Sequence, residues 1–98
     1  MSIRMARDRG LLCPQVFCDF CKLRIEDAKG GNFEYRVDEA AAPMEPVFFS
    51  HKRCSDSLRA SRDPRGMWYC DELWLFPVQL GTSLSVDLKK AEVAANSL

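Results

Sequence analysis

The chain has 98 residues, 47% of them hydrophobic, and its 14 basic and 14 acidic side chains cancel to a formal net charge of zero. This length fits one small domain, and a core of that size gains much from a cross-link or a metal ion. Zero net charge argues against binding nucleic acid mainly by electrostatics, and no apolar run approaches the roughly 20 residues of a membrane span.

The amino end is basic, with Arg4, Arg7 and Arg9 against Asp8. Residues 1–10 are predicted to be a flexible lead-in, and they lack the continuous apolar segment of a signal peptide. We therefore expect a cytoplasmic protein. The five cysteines, an odd number, then indicate metal binding or redox chemistry instead of a disulfide framework.

Short strands are predicted for the first half of the chain. Residues 15–17 should form a short strand that enters the first cysteine pair. Alternating apolar and polar residues predict strands over 22–27 and 32–37, separated by a Gly-Gly turn. A proline-containing loop over 38–46 then leads to a β-rich run at 47–50.

The pattern changes to a helical one at Ser50, which is a suitable N-cap. His51, Cys54 and Leu58 are spaced by three and four residues, which places them on one face of a helix. The segment 63–66, which contains Asp-Pro and a glycine, should end this helix.

The remainder, residues 67–98, is predicted to be a helical extension. An apolar stripe predicts a helix over 71–80, in which Pro77 must introduce a kink or begin a new turn, although 67–80 also fits an extended structure. A last helix should begin after Ser85. Its inner face is predicted to consist of Leu84, Leu88, Ala91 and Ala95.

Four potential ligands have the spacing of a structural zinc site. Cys18 and Cys21 are separated by two residues, which suits a tight turn whose amides point at the sulfur atoms. His51 and Cys54 share this spacing in the first turn of the predicted helix, whose N-terminus favours a thiolate at Cys54. Three thiolates and one imidazole make a complete tetrahedral set for Zn²⁺.

The other interpretations of the cysteines are weaker. A redox-active Cys18-x-x-Cys21 pair would need a βαβ unit, and the sequence shows none. Cys13 is an alternative ligand, although Pro14 stiffens the link to Cys18. Cys70 is interpreted as a small buried hydrophobic residue.

The predicted order of cysteine turn, hairpin and ligand-bearing helix resembles a treble-clef zinc finger, over roughly residues 15–62. The ligand set is similar to that of the first zinc module of LIM domains. The 29-residue gap between the ligand pairs is longer than is typical of LIM, and no second set of four ligands follows. The treble clef serves many functions, so the resemblance implies a scaffold and no particular activity.

The resemblance implies a small α+β fold with a zinc knuckle, a β-hairpin and a helix. We expect a single zinc-binding domain over 11–98. It would consist of a treble-clef module at 11–66 and C-terminal helices at 67–98 that pack on it.

Several kinds of enzyme are disfavoured. Four protein ligands leave zinc no open position for water, and zinc deaminases need a His-x-Glu before the Cys-x-x-Cys. The only histidine, His51, is assigned to the metal, so it cannot serve as a general base. No phosphate-binding glycine loop is present. We expect a non-enzymatic protein without a small-molecule substrate.

A protein-interaction or regulatory role is the favoured functional hypothesis. A dense group of large apolar side chains follows the zinc module, and helical geometry prevents all of them from facing one core. The opposing interpretation is that these side chains fill the core. A further hypothesis is a homodimer that forms through the C-terminal helices. The proposed interface residues are Trp68, Trp74, Leu75 and Phe76.

Nucleic-acid binding is the alternative function. Residues 47–66 hold five basic and two acidic groups, a net charge of +3. The basic helix predicted at 51–65 would then contact phosphates, although a solvated helix face explains the same pattern. The residues concerned are Lys52, Arg53, Arg59 and Arg62.

Overall fold

The computed structural model describes residues 3–96, and this part of the chain is a small α+β domain with two antiparallel sheets and three α-helices. Residues 1, 2, 97 and 98, which belong to the predicted lead-in and helical extension, lie outside the described residues. The strands and helices are β1 (Ile3–Asp8), β2 (Leu11–Val16), β3 (Gly31–Val37), β4 (Pro43–His51), α1 (Ser55–Arg62), β5 (Met67–Glu72), α2 (Leu75–Ser83) and α3 (Leu88–Asn96).

β1 and β2 form a two-stranded antiparallel hairpin near the amino end. Arg9 and Gly10 connect them, both with positive φ, which is the backbone conformation of the tight turns that match strand twist. Residues 1–10 were predicted to be a flexible lead-in, and this is wrong over Ile3–Asp8, which form β1. β1 was not recognised from the sequence because it is rich in arginine. An exposed hairpin strand needs no alternation of apolar and polar residues.

The second sheet has the order β4–β3–β5, so β3 is its central strand. The strands predicted over 32–37 and 47–50 are found as β3 and part of β4. β4 begins earlier than predicted, at Pro43, and a register shift between Glu34 and Arg36 accommodates it. Residues 67–72 form β5, whose aromatic side chains favour a strand. The predicted helical extension is therefore wrong over these residues, and the alternative extended structure is confirmed there.

The predicted helix at His51 begins four residues later. β4 continues its pairing with β3 as far as His51, which lies opposite Gly31, and a short 3₁₀ turn at Lys52–Cys54 leads to α1. Ser50 is therefore a strand residue and not an N-cap.

α2 begins at Leu75, so Pro77 lies in its first turn, where a missing backbone N–H breaks no helical hydrogen bond. Phe76 attaches α2 to the sheet, with its ring centroid 5.3 Å from that of Phe33 and 5.1 Å from that of Phe49. By contrast, none of residues 88–96 in α3 is buried. The predicted inner face of this helix therefore does not pack on the zinc module.

The core joins the sheet to the cysteine turn. Gly31 lies close to this core, because a Cβ there would lie 2.8 Å from a Leu73 methyl group and 2.9 Å from an Ile25 methyl group, and these side chains would have to shift. Two of the predicted metal ligands are core residues themselves. The buried cluster consists of Cys18, Ile25, Phe33, Phe49, Cys54 and Leu73.

Candidate metal centre

The structure brings the four predicted ligand residues together in one group. The ligand atoms of Cys18, Cys21, His51 and Cys54 all lie within 4.8 Å of one another, and all four residues except the half-buried Cys21 are buried. Metal–ligand bonds of about 2.0–2.3 Å in a tetrahedron give edges of about 3.5–3.8 Å. The group is therefore able to hold a metal ion after a small contraction.

The first half of the group is a tight turn that follows β2. The Lys22 amide donates to the Cys18 carbonyl at 3.0 Å, and the Cys18 amide donates to the Leu23 carbonyl at 2.9 Å. Lys22 has a φ of 67°, a left-handed conformation that lets the chain reverse immediately after Cys21. The strand predicted over 22–27 is reduced to a single bridge between Arg24 and Phe17, because its first residues belong to this turn.

The imidazole of His51 is oriented from both of its nitrogen atoms. Its Nδ1 lies 3.3 Å from the Cys21 sulfur, and its Nε2 lies 3.1 Å from the Arg24 carbonyl oxygen. A carbonyl only accepts hydrogen bonds, so we assign the proton to Nε2, which leaves the Nδ1 lone pair facing the sulfur atoms. Metal-ligating histidines commonly hold their second nitrogen in this way.

The environment of Cys18 stabilises a thiolate. Burial raises the pKa of this thiol, but the backbone amides of Cys21, His51 and Phe20 outweigh that effect and lower the pKa to about 6. The His51 amide donates to the Cys18 sulfur at 3.4 Å. Amide donors of this kind favour the anionic form that binds metal.

The environment of Cys54 has the opposite effect on its thiol. Burial raises its pKa, and the sulfur atoms of Cys18 and Cys21 raise it further, to about 11. The helix N-terminus was expected to favour a thiolate here, but burial and the neighbouring sulfur atoms outweigh it. Three thiolates in one buried site therefore need a cation to offset their mutual repulsion.

Asp19 ties the cysteine turn to β4. Its Oδ2 accepts a hydrogen bond from the Phe49 amide at 2.7 Å, and its own amide donates to the Phe49 carbonyl at 2.7 Å. Phe49 lies two residues before His51, so this pair of contacts links the two halves of the site. Asp19 was not among the predicted site residues, and its only signal in the sequence is its position inside the Cys-x-x-Cys pair.

A buried carboxylate lies beside the second half of the site. Glu34 of β3 is fully buried, and it accepts hydrogen bonds from Ser50 Oγ at 2.5 Å, Ser55 Oγ at 2.8 Å and Arg59 Nε at 2.8 Å. Burial lowers the pKa of Arg59, but its bond to Glu34 outweighs this and raises the pKa. Glu34 was not among the predicted site residues, because strand alternation places it on the face opposite Phe33, and only the tertiary packing of α1 covers that face.

The basic residues proposed for nucleic-acid binding are mostly engaged within the protein. Lys52 pairs with Glu72 at 2.7 Å, and Arg59 bonds Glu34. The Arg62 guanidinium lies 5.3 Å from the ring centroid of Phe48. Arg53 is exposed.

The four proposed interface residues differ in their exposure. Leu75 and Phe76 are partly buried and pack against the core. Trp68 is half-buried and donates from its indole to the Asp63 carbonyl at 2.9 Å, whereas Trp74 is 48% exposed.

The remaining cysteines do not join the ligand group. Cys13 is half-buried in β2, opposite Ala6. Cys70 is exposed on β5, so its interpretation as a buried residue is wrong. Cys70 is exposed because β5 is an edge strand, whose residues other than Trp68 are all exposed.

No family model matches the chain, and no curated protein or solved structure is significantly similar to it. The case for any family therefore rests on the ligand geometry and the order of the elements around it. None of the helices formed by residues 3–96 is long and apolar enough to cross a membrane.

Proposed function

We propose that Cys18, Cys21, His51 and Cys54 hold one structural Zn²⁺ ion, and that the protein is a non-enzymatic protein-interaction or regulatory module built around it. The observation that carries the metal assignment is the convergence of four ligand atoms within 4.8 Å. Three thiolates and an imidazole match zinc, whereas Ca²⁺ and Mg²⁺ prefer oxygen ligands.

A treble-clef arrangement is the fold we propose for the site. Its support is the order of the cysteine turn, the β3–β4 hairpin and α1: one ligand pair precedes β3 in the chain, and the other begins at the last residue of β4. The site departs from the expected pattern at His51, which ends a strand and does not open a helix. Because of this departure and the long hairpin, the site resembles the LIM module in its ligand set alone.

A structural role fits the closed ligand set. Four protein ligands leave zinc no position for a substrate water, and the only histidine in the chain uses both ring nitrogens within the site. Zinc-binding thiolates also survive best in a reducing compartment, so we propose a cytoplasmic location.

The interaction role is supported by the carboxy-terminal helices. No charged residue occurs between Glu72 and Asp87, and the exposed side chains in that stretch include Leu84, at 66% exposure. An isolated helix shorter than about 12–15 residues is marginal in water, and the nine-residue α3 buries none of its side chains. A protein partner, or a second copy of this chain, would cover this surface.

Native mass spectrometry with and without a chelator tests the metal assignment. We expect one zinc ion per chain and, after its removal, a shift to the charge distribution of an unfolded protein. A compact, metal-free protein would overturn the assignment. The same spectra give the oligomeric state, which separates a homodimer from a monomer.

Site-specific photo-crosslinking in cells tests the interaction role. A crosslinker at position 84 should capture one defined protein, or a second copy of the chain. The matched control is the exposed loop position 39. Equal, diffuse labelling from both positions would contradict an interface on the carboxy-terminal helices.

Nucleic-acid binding through Lys52, Arg53, Arg59 and Arg62 is the second-choice proposal. Lys52, Arg59 and Arg62 already make contacts within the protein, which leaves them less available to phosphates. We therefore rank this proposal below the interaction role. Binding that weakens steeply with salt, and that charge reversal at Arg53 weakens further, would revive it.

A further inference from the structure

We infer that Glu34 is a positioning residue for the His51–Cys54 half of the metal site, which rests on the proposed zinc-binding function. Glu34 touches none of the four ligand side chains in the contacts described above. Its carboxylate instead holds the two serines that are the direct chain neighbours of these ligands. Ser50 precedes His51, and Ser55 follows Cys54.

The two oxygen atoms of Glu34 act on different elements. Oε2 accepts from Ser50 in β4, while Oε1 accepts from Ser55 and Arg59 in α1. One rigid carboxylate on the central strand therefore fixes the end of β4 relative to the start of α1. His51 is the last residue of β4, and Cys54 ends the short 3₁₀ turn that follows, so the segment that bears both ligands is held at both ends.

The alternative is that Glu34 merely stabilises the fold. A buried carboxylate with three donors is costly to disturb for any fold, so stability alone does not separate the two roles. The distinguishing property is the shape of the metal site. If Glu34 positions the ligands, its replacement alters the coordination geometry even in protein that is folded and saturated with metal.

The other half of the site has its own support. The Cys18–Cys21 turn is held by its internal hydrogen bonds and by Asp19, none of which involves Glu34. A Glu34 variant should therefore keep the two turn cysteines as ligands. The defect should appear as weakened or lost coordination by His51 or Cys54.

Titration of the full-length protein with Co²⁺ tests this inference, because the visible absorption of Co²⁺ reports both the number of thiolate ligands and tetrahedral geometry. We expect Glu34→Gln to reduce Co²⁺ affinity about 10–100-fold, the usual effect of losing a residue that orients a metal ligand. At saturation its tetrahedral bands should be weaker and shifted relative to the wild type. Zn²⁺ competition should give the same order of affinities.

Val37→Ala is the matched control. Val37 is buried on the same strand as Glu34, but it pairs with Pro43 and Met67 at the end remote from His51. Its replacement lowers stability without touching the ligand-bearing turn. We expect its saturated Co²⁺ spectrum to equal that of the wild type, whatever its stability.

Serine variants keep the test decisive if Glu34→Gln fails to fold. Ser55→Ala should perturb the spectrum, and Ser55→Thr, which keeps the hydroxyl, should restore it. If the folded Glu34 or Ser55 variants show the wild-type spectrum and lose no more affinity than Val37→Ala, the positioning role is refuted. If wild-type protein gives no tetrahedral spectrum, the zinc proposal itself fails, which is a distinct outcome.

Discussion

Replacing Cys54 by serine should unfold the module and not merely weaken its surface function. Cys54 is both a proposed zinc ligand and a member of the hydrophobic core, and it is only 7% exposed. Structural zinc contributes on the order of 10 kcal/mol or more to folding, whereas an entire small domain is stable by about 5–15 kcal/mol. A hydroxyl is a poor substitute for a thiolate, so the variant loses a contribution comparable to the whole stability.

Thermal unfolding followed by circular dichroism, together with zinc analysis of the purified protein, measures this effect. Cys70→Ser is the matched control, because Cys70 is exposed and lies outside the ligand group. We expect it to keep one zinc ion per chain and to change stability by less than about 0.5 kcal/mol. A Cys54→Ser protein that retained its zinc and the wild-type melting temperature would refute the assignment of this residue as a ligand.

Three further substitutions test the contacts around the site, each by denaturant unfolding of the zinc-loaded protein. Asp19→Ala should cost about 1–3 kcal/mol, because the Phe49 amide loses its acceptor; an unchanged midpoint would contradict this link between the two halves. Phe76→Ala should cost about 2–4 kcal/mol and release α2, since Phe76 is partly buried; unchanged helicity would contradict that docking role. Gly31→Ala should cost about 1–3 kcal/mol through collision with Leu73, and a neutral effect would show that Leu73 can move aside.

The sequence alone predicted the features that depend on local periodicity or on ligand spacing. The alternation of Phe33, Tyr35 and Val37 predicted β3, and the Cys-x-x-Cys and His-x-x-Cys spacings identified four residues that the fold brings together. Ligand spacing is informative because a metal constrains residue type and distance at once, whereas an apolar residue has many acceptable neighbours.

The features that the sequence did not predict depend on contacts between distant segments. β1 is an arginine-rich strand that forms because β2 pairs with it, and His51 stays in β4 because Gly31 lies opposite it. The alternation of β3 places Glu34 on the polar face of the strand, where the sequence gives no sign of burial. It is buried because α1 covers the second face of the sheet and supplies both a serine and an arginine to the carboxylate.

The metal site and the carboxy-terminal surface are physically connected through one residue. The backbone of Phe49 bonds to Asp19 in the cysteine turn, while its side chain packs against Phe76 at the start of α2. Loss of zinc would loosen the cysteine turn, and with it the strand position on which Phe76 rests. Binding of a partner to the exposed residues of α2 and α3 should therefore depend on zinc, even though no ligand lies on that surface. A chelator that released zinc and left partner crosslinking from position 84 unchanged would contradict this connection.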